Sequence, residues 1–321
     1  YVNDTLAQTG AEPIELHTSA HRLWDDLRTV LRFQDEPVHS LTAVVGYQLM
    51  GLASDHGIKV ILNGQGADET IGGYPNYFRD AWYSLLRSGQ VGRAWQQVAA
   101  YADGHGQNGR QLFIGLLRHV VQSQFGAIGA YRKLQARRRL ERHGGEAWID
   151  PSLLRDLRPM PDAAPASDLR STLIRSVETS PLPIYLRVED RNSMAHSIEV
   201  RLPFLDVRLV SMLFTLPPLW KLNGPWNKFV LREGMRGRIP ESVRARMDKM
   251  GFPTPAAQWF RGELRGALQD VLGQLPDGDG SVIRKREVMS LLERHGRGED
   301  HTGRLFNAAQ FAIWGGQHGF L

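Results

Sequence analysis

Ile58-Lys-Val-Ile-Leu-Asn-Gly-Gln-Gly-Ala-Asp-Glu-Thr-Ile-Gly-Gly-Tyr74 is an apolar run that stops at alternating glycines and is followed by two adjacent carboxylates. Val60, Ile61 and Leu62 leave no polar face, the pattern expected of a parallel strand covered on both sides. Gly64 and Gly66 permit positive φ or close approach of the backbone to a ligand, and Asp68 and Glu69 then begin a helix. The stretch therefore reads as a buried strand opening into a ligand loop at its carboxyl end, where open α/β sheets bind.

Taken alone, a strand end, two glycines and an Asp-Glu pair can bind phosphate through backbone N–H groups and a divalent cation through a carboxylate. The same residues also describe a plain tight turn with Asp68 as a helix N-cap. Gly64-Gln-Gly66 lacks the third glycine of a dinucleotide fingerprint, and no Gly-Lys-Ser/Thr occurs in the chain. Gly224-Pro-Trp-Asn-Lys228 leads into Phe229-Val-Leu-Arg-Glu-Gly-Met235, with Pro225 fitting a first helical turn. Lys228 then lies near a helix N-terminus, where a cation is disfavoured by roughly 0.3–1 kcal/mol unless an anion is bound. A lysine that simply reaches solvent is the plainer alternative.

Glu189-Asp-Arg-Asn-Ser-Met-Ala-His-Ser-Ile-Glu-Val-Arg-Leu-Pro-Phe-Leu-Asp206 interleaves charges with apolar residues. Asp190, Arg191, Glu199 and Arg201 are expected to be partly buried and paired, whether for structure or for substrate. His17 and His21 are spaced to share a helix face, but without a third ligand no metal site is expected from them.

With 321 residues, 42% of them hydrophobic, the chain can build one large domain or two ordinary ones. No apolar run approaches the roughly 18–20 residues of a membrane span, and the first residues resemble no targeting segment. A soluble protein without a membrane partner is expected. The absence of cysteine excludes disulfides, thiolate zinc sites and a cysteine nucleophile within these residues, and favours a cytoplasmic location. A net charge of +5, from 39 Lys+Arg against 34 Asp+Glu, suits anionic small molecules and does not require nucleic acid. Arg132 to His143 is the densest basic stretch and reads as a solvated helix face.

The chain is expected to divide into an α/β portion, 1–80, and a mainly helical portion, 81–321. Pro13-Ile-Glu-Leu-His17 is a candidate first strand. A helix follows, with an apolar stripe of Leu41, Val44, Val45 and Leu52, Ser40 as N-cap and Gly57 as its stop. Strand, helix and strand in that order predict a parallel βαβ unit. Residues 158–167 form a Pro/Ala-rich connection. Ser180-Pro181 and Asp206 start helices, the latter running through Leu209, Val210, Leu213 and Phe214 to the stop at Pro217-Pro218. Thr254-Pro255 opens a helix carrying Leu264, Leu268, Val271, Leu272 and Leu275. After a loop at 274–281, shorter helical patterns surround Val288 to Leu292 and Leu305 to Trp314. No internal repeat is visible.

Several separated segments together resemble one family, the synthetase domain of glutamine-dependent asparagine synthetases and their relatives. Asn63-Gly-Gln-Gly-Ala-Asp-Glu-Thr-Ile-Gly-Gly-Tyr74 looks like the family's Ser-Gly-(Glu/Asp)-Gly-x-Asp-Glu-x-x-Gly-Gly-Tyr loop. Asp190-Arg-Asn-Ser-Met-Ala, with Arg201-Leu-Pro-Phe-Leu-Asp206, matches the family's Asp-Arg segment almost letter for letter. Asp35-Glu-Pro37, Lys228-Phe-Val-Leu-Arg232 and Lys249-Met-Gly-Phe252 correspond to three shorter elements. The resemblance implies an adenine-nucleotide α-hydrolase-like (ATP-pyrophosphatase) parallel sheet with a predominantly helical C-terminal part. It also implies a reaction in which ATP adenylates a carboxylate, releasing pyrophosphate, before an amine displaces AMP. By the same resemblance Asn63, Gly64 and Gly66 lie against ATP, and Asp68 ligates Mg2+. Lys228 steadies charge on the α-phosphate, Lys249 is a second cation near the phosphates, and Glu69 and Arg201 meet the substrate.

Two departures stand out. Gln65 replaces a carboxylate that the family loop usually carries, and an amide cannot take a proton from an amine. Gln65 is then expected to orient substrate, with Glu69 or water as base. The family's Ser-Gly-Gly-x-Asp-Ser pyrophosphate loop is absent from these residues, as is a glutaminase domain with its cysteine. The chain is thus expected to be the C-terminal part of a larger enzyme, incomplete at the N-terminal side of its sheet and inactive alone. The expected reaction makes asparagine from aspartate with ammonia from glutamine. A peptide cyclase, β-lactam-type synthetase or polymer amidotransferase, and a non-catalytic binding protein, stand as alternatives; a homodimer is compatible with each.

Overall fold

The computed structural model describes residues 1–125, 148–150, 168–248, 251, 254–278 and 281–321. The basic stretch 132–143, the connection 158–167 and Lys249 lie outside the described residues.

The chain opens with helices α1 (Val2–Thr9), α2 (Ala20–Gln34) and α3 (Thr42–Asp55). Strand β1 (Val60–Leu62) follows, then α4 (Ala67–Ile71), α5 (Tyr77–Arg87), α6 (Val91–Gly104) and α7 (Gly109–Phe125). Next come α8 (Leu169–Glu178), α9 (Leu182–Met194), strand β2 (Glu199–Arg201) and a 3-10 turn at Pro203–Leu205. The remainder is helical: α10 (Val207–Thr215), α11 (Pro218–Lys221), α12 (Phe229–Gly234), α13 (Glu241–Arg244), α14 (Ala256–Arg261), α15 (Arg265–Gly273), α16 (Lys285–Gly296) and α17 (Thr302–His318).

The two strands pair in parallel, Val60 opposite Glu199, Ile61 opposite Val200 and Leu62 opposite Arg201. Ile61 and Val200 point one way, onto Met50 and Ala53 of α3 and onto Ile198. Val60 and Leu62 point the other way, as strand alternation requires, and are 50% and 73% exposed. The expectation of a strand covered on both sides is therefore corrected: α3 covers one face of β1, and no described element covers the other. The predicted strand at 13–17 is corrected too. Those residues are irregular and largely exposed, because Glu15 and His17 alternate with apolar residues but no strand among the described residues offers them a ladder. The parallel partner of β1 is instead β2, reached through α4–α9, so the short βαβ unit is replaced by a long crossover. His17 precedes α2, so it shares no helix face with His21.

The main core joins the two ends of the chain. Leu23, Leu27, Val30 and Leu31 of α2 and Val44 of α3 form one cluster with Phe260, Leu268, Leu272, Leu305 and Ala309 of the C-terminal helices. The helix expected from Thr254-Pro255 is two helices, α14 and α15, because the chain leaves helical geometry at Gly262 (φ −116, ψ −104). Pro225 lies in a turn between Asn223 and Trp226 rather than in a helical first turn. Asp206 caps α10 as expected, accepting from the backbone N–H groups of Arg208 and Leu209.

α9 is clamped against α2 and α3 by polar contacts. Gln34 Nε2 donates to Val188 O and to Asn192 Oδ1, each at 3.0 Å, and Asn192 Nδ2 donates to Ala43 O at 2.8 Å. Arg187 pairs with Glu36 and Arg191 with Asp35. Gly46 permits this approach, since a Cβ there would lie 3.2 Å from Asn192 Nδ2. The expected burial of the charged segment is corrected: Asp190, Glu199 and Arg201 are exposed and Arg191 is partly so, while the neutral Asn192 and Ser193 are buried. Charges keep their hydration, and the amide and hydroxyl make the interior contacts.

Lys221 is a buried cation, 3% exposed. Its ammonium donates to Thr70 O of α4 at 3.2 Å and to Leu213 O of α10, both carbonyls near helix C-termini where a cation is favoured. Burial pulls its pKa down from 10.5 to about 8. Between those values the unfolded chain binds more protons than the folded one, so this group adds to stability as pH rises through the window and subtracts from it below pH 8. The urea stability of wild type relative to Lys221→Met is expected to rise from pH 8 to pH 10.5; a flat difference would disprove the shift.

Candidate functional site

The ladder extends one residue beyond β1, where Asn63 N donates to Arg201 O at 3.0 Å. The chain then turns through Gly64, Gln65 and Gly66. Gly66 has φ 88 and caps α4; a Cβ there would lie 2.3 Å from Leu205 Cδ2, so both conformation and space demand glycine. α4 lasts five residues before Gly72, at φ 83, ends it. The N–H groups of Gly72 and Gly73 both return to Asp68 O, at 3.1 and 2.8 Å.

Across this turn stands Lys228, at φ 50 immediately before α12. A left-handed conformation at a non-glycine residue costs roughly 1–2 kcal/mol, and the surroundings fix it. Asn227 Nδ2 donates to Gly73 O at 2.8 Å, and Arg232 donates to Asn227 O at 2.7 Å and to Asn227 Oδ1 at 2.8 Å. The result places Lys228 Nζ 2.7 Å from Asp68 Oδ1, both side chains mostly covered. Gly73 lies beneath the contact: a Cβ on it would be 1.7 Å from Asp68 Oδ1 and 2.6 Å from Lys228 Cε. The sequence-predicted pair is therefore brought together, with an ammonium and a carboxylate converging beside a glycine loop.

The other expected residues separate. Glu69 is 2% exposed and accepts from Tyr74 Oη at 2.6 Å. Burial raises its pKa and Asp68 adds to the rise, while Tyr74 and Lys228 oppose it. The Tyr74 hydroxyl is pushed far upward by the same burial and by the carboxylate it donates to. Glu69 thus backs the loop from inside. Asn63 turns its amide onto Glu189 Oε1 of α9. Gly64 has open space where a side chain would go, and Gln65 is half-buried. Arg201 is exposed and pairs with Glu199 at 2.8 Å, so its carbonyl, not its guanidinium, meets the loop. Among the described residues no group of three or more His, Cys, Asp or Glu could hold a metal.

Sequence reasoning gave no role to Asn227, Gly73 or Glu189. Asn227 and Gly73 act through a long-range hydrogen bond and a steric clearance, neither of which has a periodic signature. Glu189 opens a run of charges in which nothing local distinguishes it from its neighbours.

The chain belongs to the asparagine synthase family, whose sequence profile matches residues 1–315. It is similar to asparagine synthetase [glutamine-hydrolyzing] 1 of Bacillus subtilis, 27% identical over 321 residues, covering 97% of this chain and 48% of that protein. A putative asparagine synthetase [glutamine-hydrolyzing] of Mycobacterium bovis is 27% identical over 323 residues, covering 95% and 46%. The chain spans about half the length of the curated relatives it matches.

Gly73→Ala is expected to force Asp68 and Lys228 apart and to destabilise the protein by about 1–3 kcal/mol, as overpacking does. Urea unfolding measures the loss, and wild-type stability in the variant would contradict the tight approach.

Proposed function

We propose that the chain is the synthetase part of an ATP-dependent amide-forming ligase. ATP is its substrate: a carboxylate attacks the α-phosphate to give an acyl-adenylate and pyrophosphate, and ammonia then displaces AMP. The observation that carries this reading is the convergence of Asp68 and Lys228 on one side of a glycine loop at a strand's carboxyl end. Loop N–H groups from Gly64 and Gly66 suit phosphate oxygens, with Asn63 beside them at the strand end. Lys228 places positive charge where negative charge grows during adenylation, and such preorganised stabilisation is usually the largest catalytic contribution. Lys249 is proposed as a second cation for the phosphates.

One carboxylate at the loop fits Mg2+, which is commonly held by one or two carboxylates together with substrate phosphates and water. Asp68 would hold it, and the ion would offset triphosphate charge. In the ligand-free chain Lys228 balances Asp68 instead.

Aspartate is the proposed acceptor, because the relatives are named asparagine synthetases; glutamine would supply ammonia through a glutaminase domain. Gln65 favours keeping a second acceptor class open, another amino-acid, peptide or polymer carboxylate. The exposed Val60 and Leu62 support a further layer packed on that face of the strand in the working enzyme. No helix among the described residues is long and apolar enough to cross a membrane, and a cytoplasmic location is proposed on the same family grounds.

ATP–pyrophosphate exchange by the full-length polypeptide, with aspartate and a panel of other carboxylates, tests the reading. Exchange dependent on one of them is expected. Lys228→Ala should lower it by about 10²–10³-fold, and normal exchange in that variant would remove Lys228 from adenylation. No exchange with any carboxylate would favour a binding protein.

A further inference from the structure

The segment that delivers Lys228 begins as a tight turn, in which Asn223 N donates to Trp226 O and Trp226 N to Asn223 O, both at 3.0 Å. On one side Asn227 ties the segment to Gly73 O. On the other side the turn is docked on α6. Gln97 Nε2 donates to Asn223 Oδ1 at 3.0 Å, and Gln97 Oε1 accepts from Gly224 N at 2.7 Å, so one amide holds both side chain and backbone at the start of the turn. Further along α6, His105 Nε2 donates to Pro225 O at 3.1 Å. Gly104 permits this approach, since a Cβ there would lie 2.4 Å from Pro225 Cβ.

α6 is a firm base for these contacts. Val98 is fully buried, and the Tyr101 ring packs on Phe78 and Trp82 of α5 with centroids 4.5 and 5.2 Å away. Leu222, the residue before the turn, is buried in the same cluster. α5 begins at Tyr77, shortly after Gly73. Both anchors of the lysine segment, Gly73 and α6, therefore belong to one continuous stretch of chain that follows directly on Asp68. The lysine is located relative to Asp68 by the stretch that carries Asp68 itself.

Resting on the proposed ligase reading, we infer that Gln97 is a positioning residue for adenylation. It touches neither nucleotide nor carboxylate, and acts through the 223–228 segment to hold Lys228 where negative charge grows. A glutamine amide suits this task because its donor and its acceptor are engaged together, which fixes the turn against sliding along α6 as well as against lifting from it. Loss of the amide frees that movement, and a displacement of about 1 Å at a catalytic group, caused from a distance, can lower a rate by roughly 10²-fold.

The test compares Gln97→Met, which keeps the length of the side chain and removes both hydrogen bonds, with Gln97→Glu, which still accepts from Gly224 N and accepts from the Asn223 amide once that amide turns over. In the full-length polypeptide, kcat and KM for ATP–pyrophosphate exchange are measured with whichever carboxylate of the panel supports it. Gln97→Met should lower kcat by about 10- to 10²-fold with the KM of the carboxylate unchanged, and Gln97→Glu should keep most of the wild-type rate. Added to Lys228→Ala, Gln97→Met should lower exchange no further, because the group it positions is gone. Gly104→Ala, which pushes Pro225 away while leaving Gln97 intact, should reproduce the loss and carries the test where Gln97→Met does not fold. An unchanged kcat would overturn the inference, as would the full further loss on the Lys228→Ala background, which marks a general structural role. Absence of exchange in wild type is a different result and removes the ligase reading itself.

Discussion

The contact between Asp68 and Lys228 is possible only because Gly73 has no side chain. These residues lie far apart in sequence, and their 2.7 Å approach passes directly over a backbone that leaves no room for a Cβ. Every neighbouring feature serves that clearance. Gly66 and Gly72 confine α4 to five residues, so the backbone returns to Asp68 O within two hydrogen bonds. Asn227 ties the lysine segment to Gly73, and Arg232 ties Asn227 in turn. Hydrogen bonds from a charged guanidinium are worth more than neutral ones, and here they offset the unfavourable backbone of Lys228. The short apolar cluster of Ala67, Ile71 and Leu213, with Val230 and Leu231 packed against it, presses α4 toward α12 from behind.

The second organising element is α9. Two motifs that look independent in the sequence, Asp35-Glu-Pro37 and the Asp190-Arg segment, are the two halves of one clamp between the end of α2 and one face of α9. Exposed ion pairs contribute little each, so the stability of the clamp rests more on Gln34 and Asn192, whose amides are buried and hydrogen-bonded. The charges set register and orientation. Through the Ala195–Ser197 turn, α9 delivers β2 to β1, so the same helix positions both the strand partner and the loop.

Sequence pattern revealed what depends on local chemistry. The β1 stop, the glycine loop, the Asp206 cap and the C-terminal helices were legible because each is written in consecutive or periodic residues. α3 was legible as a helix, but its N-cap is Leu41 with no side-chain cap from Ser40, and Val45 and Leu52 of its expected stripe are only half-buried. Pro13 to His17 failed because alternation marks a strand only where a partner exists. The burial of β1 failed because apolar content cannot report whether a second layer is present. The helix after Thr254 was drawn through Gly262, since the apolar spacing on either side continues across the break. At the site, Asp68 and Lys228 were found from motifs, whereas Gly73, Asn227 and Glu189 depend on which distant residue stands opposite.

The acidity of the loop poses an electrostatic problem that its burial pattern resolves. Three carboxylates, Asp68, Glu69 and Glu189, surround a segment proposed to bind a triphosphate, and three exposed anions there would repel it. Only Asp68 faces the lysine. Glu69 and Glu189 are withdrawn from water, and burial moves both pKa values upward, which lessens the negative charge they present. Each also receives a neutral donor, Tyr74 or Asn63, rather than a second cation. Lys228 therefore makes its ion pair with Asp68 and only a longer-range attraction to Glu69, and its charge is directed at Asp68 and at whatever anion enters beside it. Different environments around similar side chains thus assign different work to each.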